Sequence, residues 1–443
     1  MKLITAIIFF LFTQYLWGQI VSAPTGGVWN DTTTWIGNVI PSDSDNVVIN
    51  GPVVIYEKAF CNDLLVSNAA SLADSQSIES FDIAIGGNFI NEGTIFSKSN
   101  QFNLLLYEDL VNKGNWDEQS NINITFSSLA DHNIANDSSK IISVDNILLA
   151  GNGRKLILLT NINFKQTNFD LEYDTLVINH KEIVNLGGIF YNPVIKSNGG
   201  MLNNSNLWNC NVVGTLRTSG TTLVSGGNFM DTLIVVDTLT QSPSGYSWFR
   251  INTLINHGVV RCSQAGFFTI YIKNIINNGI LEDGNSGGLL LPIINESLHN
   301  NGIWSCLYTD FNSSNNLYLS QTEGKYIGSD YIQVRSQQDT IFLLSDFNIN
   351  SKVMGQENFL SVGEYTLSGI NNYYWGLKFI SNNATLKNTY IISSYFEGNT
   401  TFDGMTYLAG QIYFTDTVKV KSIFKSYGSD VSTLYFENLI NCG

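Results

Sequence analysis

The chain has 443 residues, a formal net charge of -15 and a pI near 4.6. Nucleic acids and anionic membranes bind proteins through basic surfaces that attract their phosphate groups. A chain this acidic lacks such a surface, which argues against both as partners. Charged residues make up only 13% of the sequence, so Asn, Ser, Thr and Gly supply most of the polarity. This composition is typical of an all-β extracellular protein.

The N-terminal segment that ends at Gly18 has the three parts of a secretory signal. Lys2 supplies the positive charge, an apolar stretch runs from Leu3 to Leu16, and Gly18 precedes the expected cut at Gln19. An uncleaved N-terminal anchor is the alternative. No later apolar run reaches membrane-spanning length, so we predict a secreted or outer-surface protein without a transmembrane segment after cleavage.

Residues 19–60 are predicted to form a cap module. Trp29 and Trp35 are separated by turn residues, and an alternating stretch from Asp45 ends at Gly51. A stack of β-coils exposes unpaired backbone groups at its open end. We therefore expect the two tryptophans to cover the first coil.

A short motif, apolar-x-Asn-x-Gly-x-apolar, recurs after the cap. Its glycines are 21 residues apart from Gly93 to Gly114 and from Gly258 to Gly279, and 23 apart from Gly279 to Gly302. A period of 20–25 residues suits one coil of a β-solenoid. Asn and Gly accept left-handed turn geometry, and equivalent asparagines can stack their amides along the axis.

A longer repeat, with an offset of about 185 residues, carries Asn256-His257-Gly258 onto Asn441-Cys442-Gly443. We predict an all-β, parallel, right-handed β-helix with coils of about 21–23 residues. One solenoid unit would span residues 61–271, and a second, incomplete unit would span residues 272–443. The repeat leads us to expect that the chain continues past Gly443. A row of β-sandwiches is the alternative, but it has no short internal register of this kind.

Two resemblances follow from these motifs. The segment Gly26-Gly27-x-Trp29 to Gly51 resembles the opening of a G8 domain, an extracellular family associated with ligand binding. The phrase Gly86-Gly87-Asn88-Phe89-Ile90-Asn91-Glu92-Gly93-Thr94 resembles the adhesin-like β-solenoid proteins of Bacteroidota. That resemblance implies export by type IX secretion and a place at the cell surface.

Six Asp-Thr pairs are similar to the O-glycosylation motif of exported Bacteroidota proteins. A turn Asp followed by a β-branched strand residue is the alternative origin of each pair. The predicted glycosylation sites are Thr32, Thr175, Thr232, Thr238, Thr340 and Thr417.

Two aromatic clusters have loop-like flanks, and an exposed aromatic ring suits contact with a sugar or a protein. Packing of the same rings inside the solenoid is the alternative. The candidate binding residues are Tyr246, Trp248, Tyr373, Tyr374 and Trp375.

We find no catalytic constellation. The adjacent acids Glu282 and Asp283 point to opposite faces of a strand, and the four histidines are scattered. The five cysteines form no CxxC motif, and Cys262 and Cys306 are predicted to be small core residues. We therefore predict no enzyme, no bound metal and no cofactor, with calcium in the Asp- and Asn-rich turns as the one ion considered.

These observations predict an exported structural or adhesive protein that binds glycans or partner proteins along a repetitive face. The alternative is a spacer, or a carbohydrate-active scaffold whose active region lies beyond residue 443.

Overall fold

A computed structural model shows two compact units, the first ending at Val213 and the second beginning at Gly214. The residues that the structure describes are 19–75, 81–98, 101–117, 121–150, 153–171, 174–185, 187–241, 247–263, 265–284, 287–335, 340–355, 358–421, 423–426 and 433–442. The signal segment and Tyr246 lie outside these residues.

The described part of the first unit holds one short 3-10 helix, Thr32–Thr34, among its strands. Strands β1 to β26 are, in chain order, Gln19–Val21, Gly27–Val28, Asn46–Ile49, Pro52–Ile55, Ala59–Cys61, Leu64–Val66, Ser71–Asp74, Phe81–Ile85, Phe89–Asn91, Thr94–Phe96, Phe102–Leu106, Leu110–Asn112, Asn115–Trp116, Ile122–Phe126, His132–Asn136, Ile141–Ile142, Asn146–Leu149, Lys155–Leu158, Ile162–Phe164, Asn168–Asp170, Thr175–Asn179, Glu182–Asn185, Ile189–Tyr191, Val194–Ser197, Gly200–Asn203 and Asn206–Val213.

The second unit consists of strands and turns in its described part. Strands β27 to β51 are Leu216–Ser219, Thr221–Val235, Thr238–Gln241, Ser247–Asn256, Val259–Arg261, Gly266–Asn277, Ile280–Glu282, Gly288–Asn300, Ile303–Ser305, Tyr308–Phe311, Leu317–Gln321, Tyr331–Val334, Thr340–Leu343, Phe347–Asn348, Lys352–Met354, Phe359–Gly363, Thr366–Trp375, Lys378–Ser381, Ala384–Ile392, Tyr395–Glu397, Thr400–Asp403, Thr406–Ala409, Gln411–Val420, Phe424–Ser426 and Thr433–Asn441.

Each unit is a β-solenoid, which confirms the predicted fold class. Strands pair in parallel with the equivalent strand of the next coil, as β8, β11 and β14 do in the first unit. Alternation buries every second side chain, so Leu104 lies between Ile83 and Ile124 in the core. Each such side chain contributes about 1.5–3 kcal/mol on burial. The right-handed sense and the predicted limits at residues 60 and 271 stay predictions.

The asparagines of the motif form the predicted amide ladders inside both units. Asn91 donates to Asn112 at 2.8 Å, and Asn112 donates to Asn136 at the same distance. All three side chains are buried. Because a buried amide without a partner is costly, the ladder fixes the register of successive coils.

The motif glycines have a role that differs from the predicted one. Gly258, Gly279 and Gly302 are not left-handed in the structure. A Cβ on Gly279 would instead lie 2.0 Å from the backbone oxygen of Gly258, so the glycine is needed for close approach between coils. The expectation of left-handed geometry at this motif was therefore wrong.

Left-handed corners occur where the coils are shorter than predicted. Register pairs Ile189 with Asn206 and Tyr390 with Tyr407, and both intervals are shorter than the one from Gly258 to Gly279. Left-handed residues near these coils include Asn192, Asn204, Asn383, Asn388, Gly398 and Gly404. Such a residue reverses the chain within a short corner, which explains the shorter coil.

The two tryptophans of the predicted cap pack against each other in the first coil. Their ring centroids are 5.1 Å apart in an edge-to-face arrangement, and both side chains are buried. The indole N–H of Trp35 donates to the backbone oxygen of Trp29 at 2.7 Å. β1 pairs with β3 and β2 with β4, so this segment shares the parallel register of the first unit.

Candidate binding surface

A column of outward-facing side chains follows one face of the second unit across successive coils. Strand register aligns Tyr308 with Tyr331, Tyr331 with Lys352, and Lys352 with Tyr373. It continues from Tyr373 to Tyr390 and then to Tyr407. We call these six residues the tyrosine ladder.

The column faces outward because its strands alternate. The residues that follow the ladder members in sequence point inward and are buried: Thr309, Ile332, Val353, Tyr374, Ile391 and Leu408. Parallel register then places every outward residue over the outward residue of the previous coil. A row of surface aromatics therefore forms without any loop to hold it.

Neighbouring rings of the ladder stack in two groups. The centroids of Tyr373 and Tyr390 are 4.3 Å apart, and those of Tyr390 and Tyr407 are 4.4 Å apart with an interplanar angle of 6°. Tyr308 and Tyr331 stack at 5.5 Å. Each aromatic pair adds about 0.5–1.5 kcal/mol beyond its burial.

Lys352 joins the two stacked groups. Its ammonium nitrogen lies 5.0 Å from the ring centroid of Tyr331, within the range of a cation–π contact. The ring faces that point along the ladder are covered by the adjacent ladder side chains. The ladder therefore presents mainly the edges of its phenol rings and the ammonium group of Lys352 to a partner.

Grooves run along the ladder. One of about 500 Å³ is lined by residues that include Phe267, Leu291, Tyr308 and Tyr331. A second groove, of about 450 Å³, is lined in part by Tyr331, Lys352 and Tyr373. Tyr331 thus separates an apolar groove from a more polar one.

One ion pair lies in the apolar groove. Arg335 contacts Asp310 at 3.0 Å, and the carboxylate is almost fully buried. Burial raises the pKa of Asp310, and the nearby Arg335 guanidinium offsets part of that rise. The pair satisfies its own charges, so it does not by itself demand a charged ligand.

Three of the predicted aromatic residues lie on this surface. Tyr373 is a ladder member, and Trp375 is 56% exposed in the neighbouring outward column. Trp248 is 48% exposed and pairs with Thr269, which in turn pairs with Leu291 of the apolar groove. Both clusters were expected to be loops, but Trp248 lies in β30 and Tyr373 to Trp375 end β43.

Tyr374 lies apart from the surface because it is fully buried in the core. Burial raises the pKa of its phenol, and the Asn372 amide donates to its oxygen at 3.5 Å. Tyr246 lies outside the described residues.

Sequence reasoning missed five members of the ladder: Tyr308, Tyr331, Lys352, Tyr390 and Tyr407. The interval between ladder members is not constant along the chain, and it is longer from Tyr308 to Tyr331 than from Tyr390 to Tyr407. A search for a fixed period therefore does not align these tyrosines.

The six threonines of the Asp-Thr pairs are exposed or half-buried: Thr32, Thr175, Thr232, Thr238, Thr340 and Thr417. Several partner aspartates bind backbone N–H groups of the preceding coil. Asp231 accepts from Gly214 at 2.8 Å, and Asp416 accepts from Gly398 at 3.0 Å. The motif thus has a structural role at corners, and glycosylation of its threonines stays a prediction.

All five cysteines are thiols, and Cys262 and Cys306 are buried as predicted. Within the described ranges, no group of three or more His, Cys, Asp or Glu side chains is arranged to hold a metal ion. The described part of the chain also contains no apolar helix of membrane-spanning length.

The sequence matches no protein-family model, and comparisons with curated proteins and with solved structures find no significant match.

Proposed function

We propose that this chain is an exported structural and adhesive protein that binds glycans or partner proteins along the tyrosine ladder. The observation that carries the proposal is the alignment of Tyr308, Tyr331, Tyr373, Tyr390 and Tyr407 over successive coils, with grooves beside them. A repetitive surface allows several weak contacts to act together, so avidity replaces a deep pocket.

Export fits the sequence, because Lys2, the apolar stretch and Gly18 are arranged as in a secretory signal. Cleavage after Gly18 would keep Gln19–Val21, the residues of β1. We propose that the chain is a cell-surface β-solenoid of the Bacteroidota type with a G8-like first coil. Mass spectrometry of the protein from its own host would test this, with Gln19 as the first residue and added sugar at the Asp-Thr threonines as the expected result.

Binding is tested with the full chain on an array of glycans and on immobilised extracellular matrix proteins. The test variant combines Tyr308→Ser and Trp375→Ser, which removes two exposed rings, one in the ladder and one beside it. The control is Trp208→Ser, since Trp208 is a 40% exposed tryptophan of the first unit.

We expect at least a tenfold weaker affinity for the double variant and an unchanged affinity for the control. Equal binding by both variants would remove the ladder from the proposal. No binding by the unmodified chain would favour the alternative function of a spacer.

A further inference from the structure

A corner of the second unit lengthens from coil to coil. Strand register matches Ile272 with Ile294 and Asn274 with Ser297. Between these positions, β32 has the single residue Lys273, whereas β34 has the two residues Asn295 and Glu296. In the next coil the corresponding segment runs from 312 to 317. Extra residues of this kind redirect the chain locally and often adjoin functional sites.

The corner formed by residues 312–317 borders a cleft of about 730 Å³, which we call the corner cleft. Its lining is Lys273, Asn295, Glu296, residues 312–316 and Tyr318. These residues are distinct from the members of the tyrosine ladder.

Residues 312–316, which we call the cleft loop, are held in place by hydrogen bonds within the loop and to Thr340. The buried Ser313 hydroxyl donates to the backbone oxygen of Asn315 and accepts from the backbone N–H of Asn315 at 3.0 Å. Asn316 accepts from the backbone N–H of Thr340 at 3.4 Å. The loop is therefore organised before any ligand arrives, which lowers the entropy cost of binding.

The charges in the cleft are matched. Lys273 forms an ion pair with Glu296 at 3.0 Å, and Asn274 donates to the same carboxylate at 3.5 Å. The rest of the lining is amide, hydroxyl and phenol. Amides both donate and accept hydrogen bonds, as the hydroxyl groups of a sugar do.

Tyr318 supplies an aromatic platform. One face of its ring stacks on Phe342 at 5.5 Å. Its register partner in the previous coil is Ser297, whose small side chain hydrogen-bonds to Asn274 and leaves the other ring face uncovered by a large group. The weakly positive C–H groups of a pyranose ring suit the negative face of such an aromatic ring.

We propose that the corner cleft binds a neutral saccharide, with one pyranose ring over Tyr318 and its hydroxyls bonded to the amides of the loop. An acidic sugar would require a cation that is not already paired, and Lys273 is paired with Glu296. The inference rests on the proposed function in that both assign glycan binding to the second unit, but it uses different residues.

The test measures binding of the full chain to neutral cello-, malto- and xylo-oligosaccharides, with alginate oligosaccharides as acidic probes, by calorimetry. Tyr318→Ala removes the platform, and Tyr318→Phe keeps it. The matched control is Tyr326→Ala, because Tyr326 is a 46% exposed tyrosine outside the cleft.

We expect at least one neutral oligosaccharide to bind, with a loss of tenfold or more for Tyr318→Ala. Tyr318→Phe and Tyr326→Ala should stay within about threefold of the unmodified chain, which also shows that the fold is retained. The Tyr308→Ser and Trp375→Ser double variant should bind this oligosaccharide normally, which separates the cleft from the ladder. Binding of acidic oligosaccharides alone, no oligosaccharide binding, or full binding by Tyr318→Ala would each overturn the inference.

Discussion

The side-chain amide of Asn256 donates a 2.8 Å hydrogen bond to the side-chain oxygen of Asn277, its register partner in the next coil. The side-chain amide of Asn277 in turn donates to the side-chain oxygen of Asn300 at 2.8 Å and to the backbone oxygen of Ile303 at 3.1 Å. Since all three asparagines are buried, each side chain depends on its neighbours for satisfaction.

Replacing Asn277 with Ala should weaken the coils on both sides of it. The change removes the hydrogen bonds to Asn256, Asn300 and the Ile303 backbone oxygen and leaves the side-chain oxygen of Asn300 without its donor, at a cost of about 2–4 kcal/mol. Amide hydrogen exchange in β32 and β34 measures the free energy of local opening. The adjacent Asn278 is exposed, so Asn278→Ala should change that free energy by less than about 0.5 kcal/mol. Equal effects of the two changes would show that the ladder does not stabilise the unit.

The recurring Asn-x-Gly spacing and the alternation of apolar residues were enough to predict parallel coils and the amide ladder. The tyrosine ladder was not predictable in the same way. Whether Tyr373 or Tyr374 faces outward depends on the exact strand register, and a shift of one residue exchanges the two. The corner cleft forms because the corner at residues 312–317 contains more residues than the equivalent corners of the preceding coils. No single sequence motif reveals that difference.

Adding one methyl group at a motif glycine should be strongly destabilising. In Gly279→Ala the new Cβ would meet the Gly258 oxygen, which accepts a 2.8 Å hydrogen bond from Ile280. We expect a loss of about 2–4 kcal/mol in the free energy of unfolding, measured by urea denaturation.

The control for that change is Gly86→Ala. A Cβ at Gly86 would lie 3.6 Å from its nearest neighbours, an ordinary contact. Stability should change by less than about 1 kcal/mol, with a gain as the favoured sign because alanine reduces the freedom of the unfolded chain. A large loss at Gly86, or none at Gly279, would contradict the close-approach explanation.

Only one cysteine should react quickly in the folded chain. Cys442 is exposed, whereas Cys61, Cys210, Cys262 and Cys306 are buried. Burial raises the pKa of Cys61, Cys210 and Cys306, so these groups stay protonated at pH 8, and the thiolate is the reactive form. Ellman's reagent should detect one thiol in the native protein and five in denaturant. Loss of the fast thiol in Cys442→Ser is the control, and two or more fast thiols would contradict the burial.

Asp237 should make the stability of the second unit sensitive to acid. Its carboxylate accepts from the Gly220 backbone N–H and from the Ser219 hydroxyl, both at 2.8 Å, and these hydrogen bonds lower its pKa. A lowered pKa in the folded state means that the stabilisation is present at neutral pH and is lost as the pH falls through the folded-state value. Urea midpoints measured from pH 7 down to pH 2 should therefore fall less steeply for Asp237→Asn. Thr238→Val should keep the original slope, and a slope unchanged in both variants would contradict the role of the carboxylate.

Each amide ladder has an unsatisfied end, and this predicts a substitution that the core should tolerate. The side-chain oxygen of Asn256 is buried without a hydrogen-bond partner, and its register neighbour in the previous coil is the buried Val235. Val235→Thr keeps the shape of the side chain and adds a hydroxyl that can donate to this oxygen.

At an apolar site the same change buries a hydroxyl at a cost of about 1–3 kcal/mol. Val260, buried between Leu239 and Leu281, provides that site. Urea denaturation should show that Val235→Thr is more stable than Val260→Thr by about 1 kcal/mol or more. Equal losses would mean that the open end of the ladder cannot accept a donor from the previous coil.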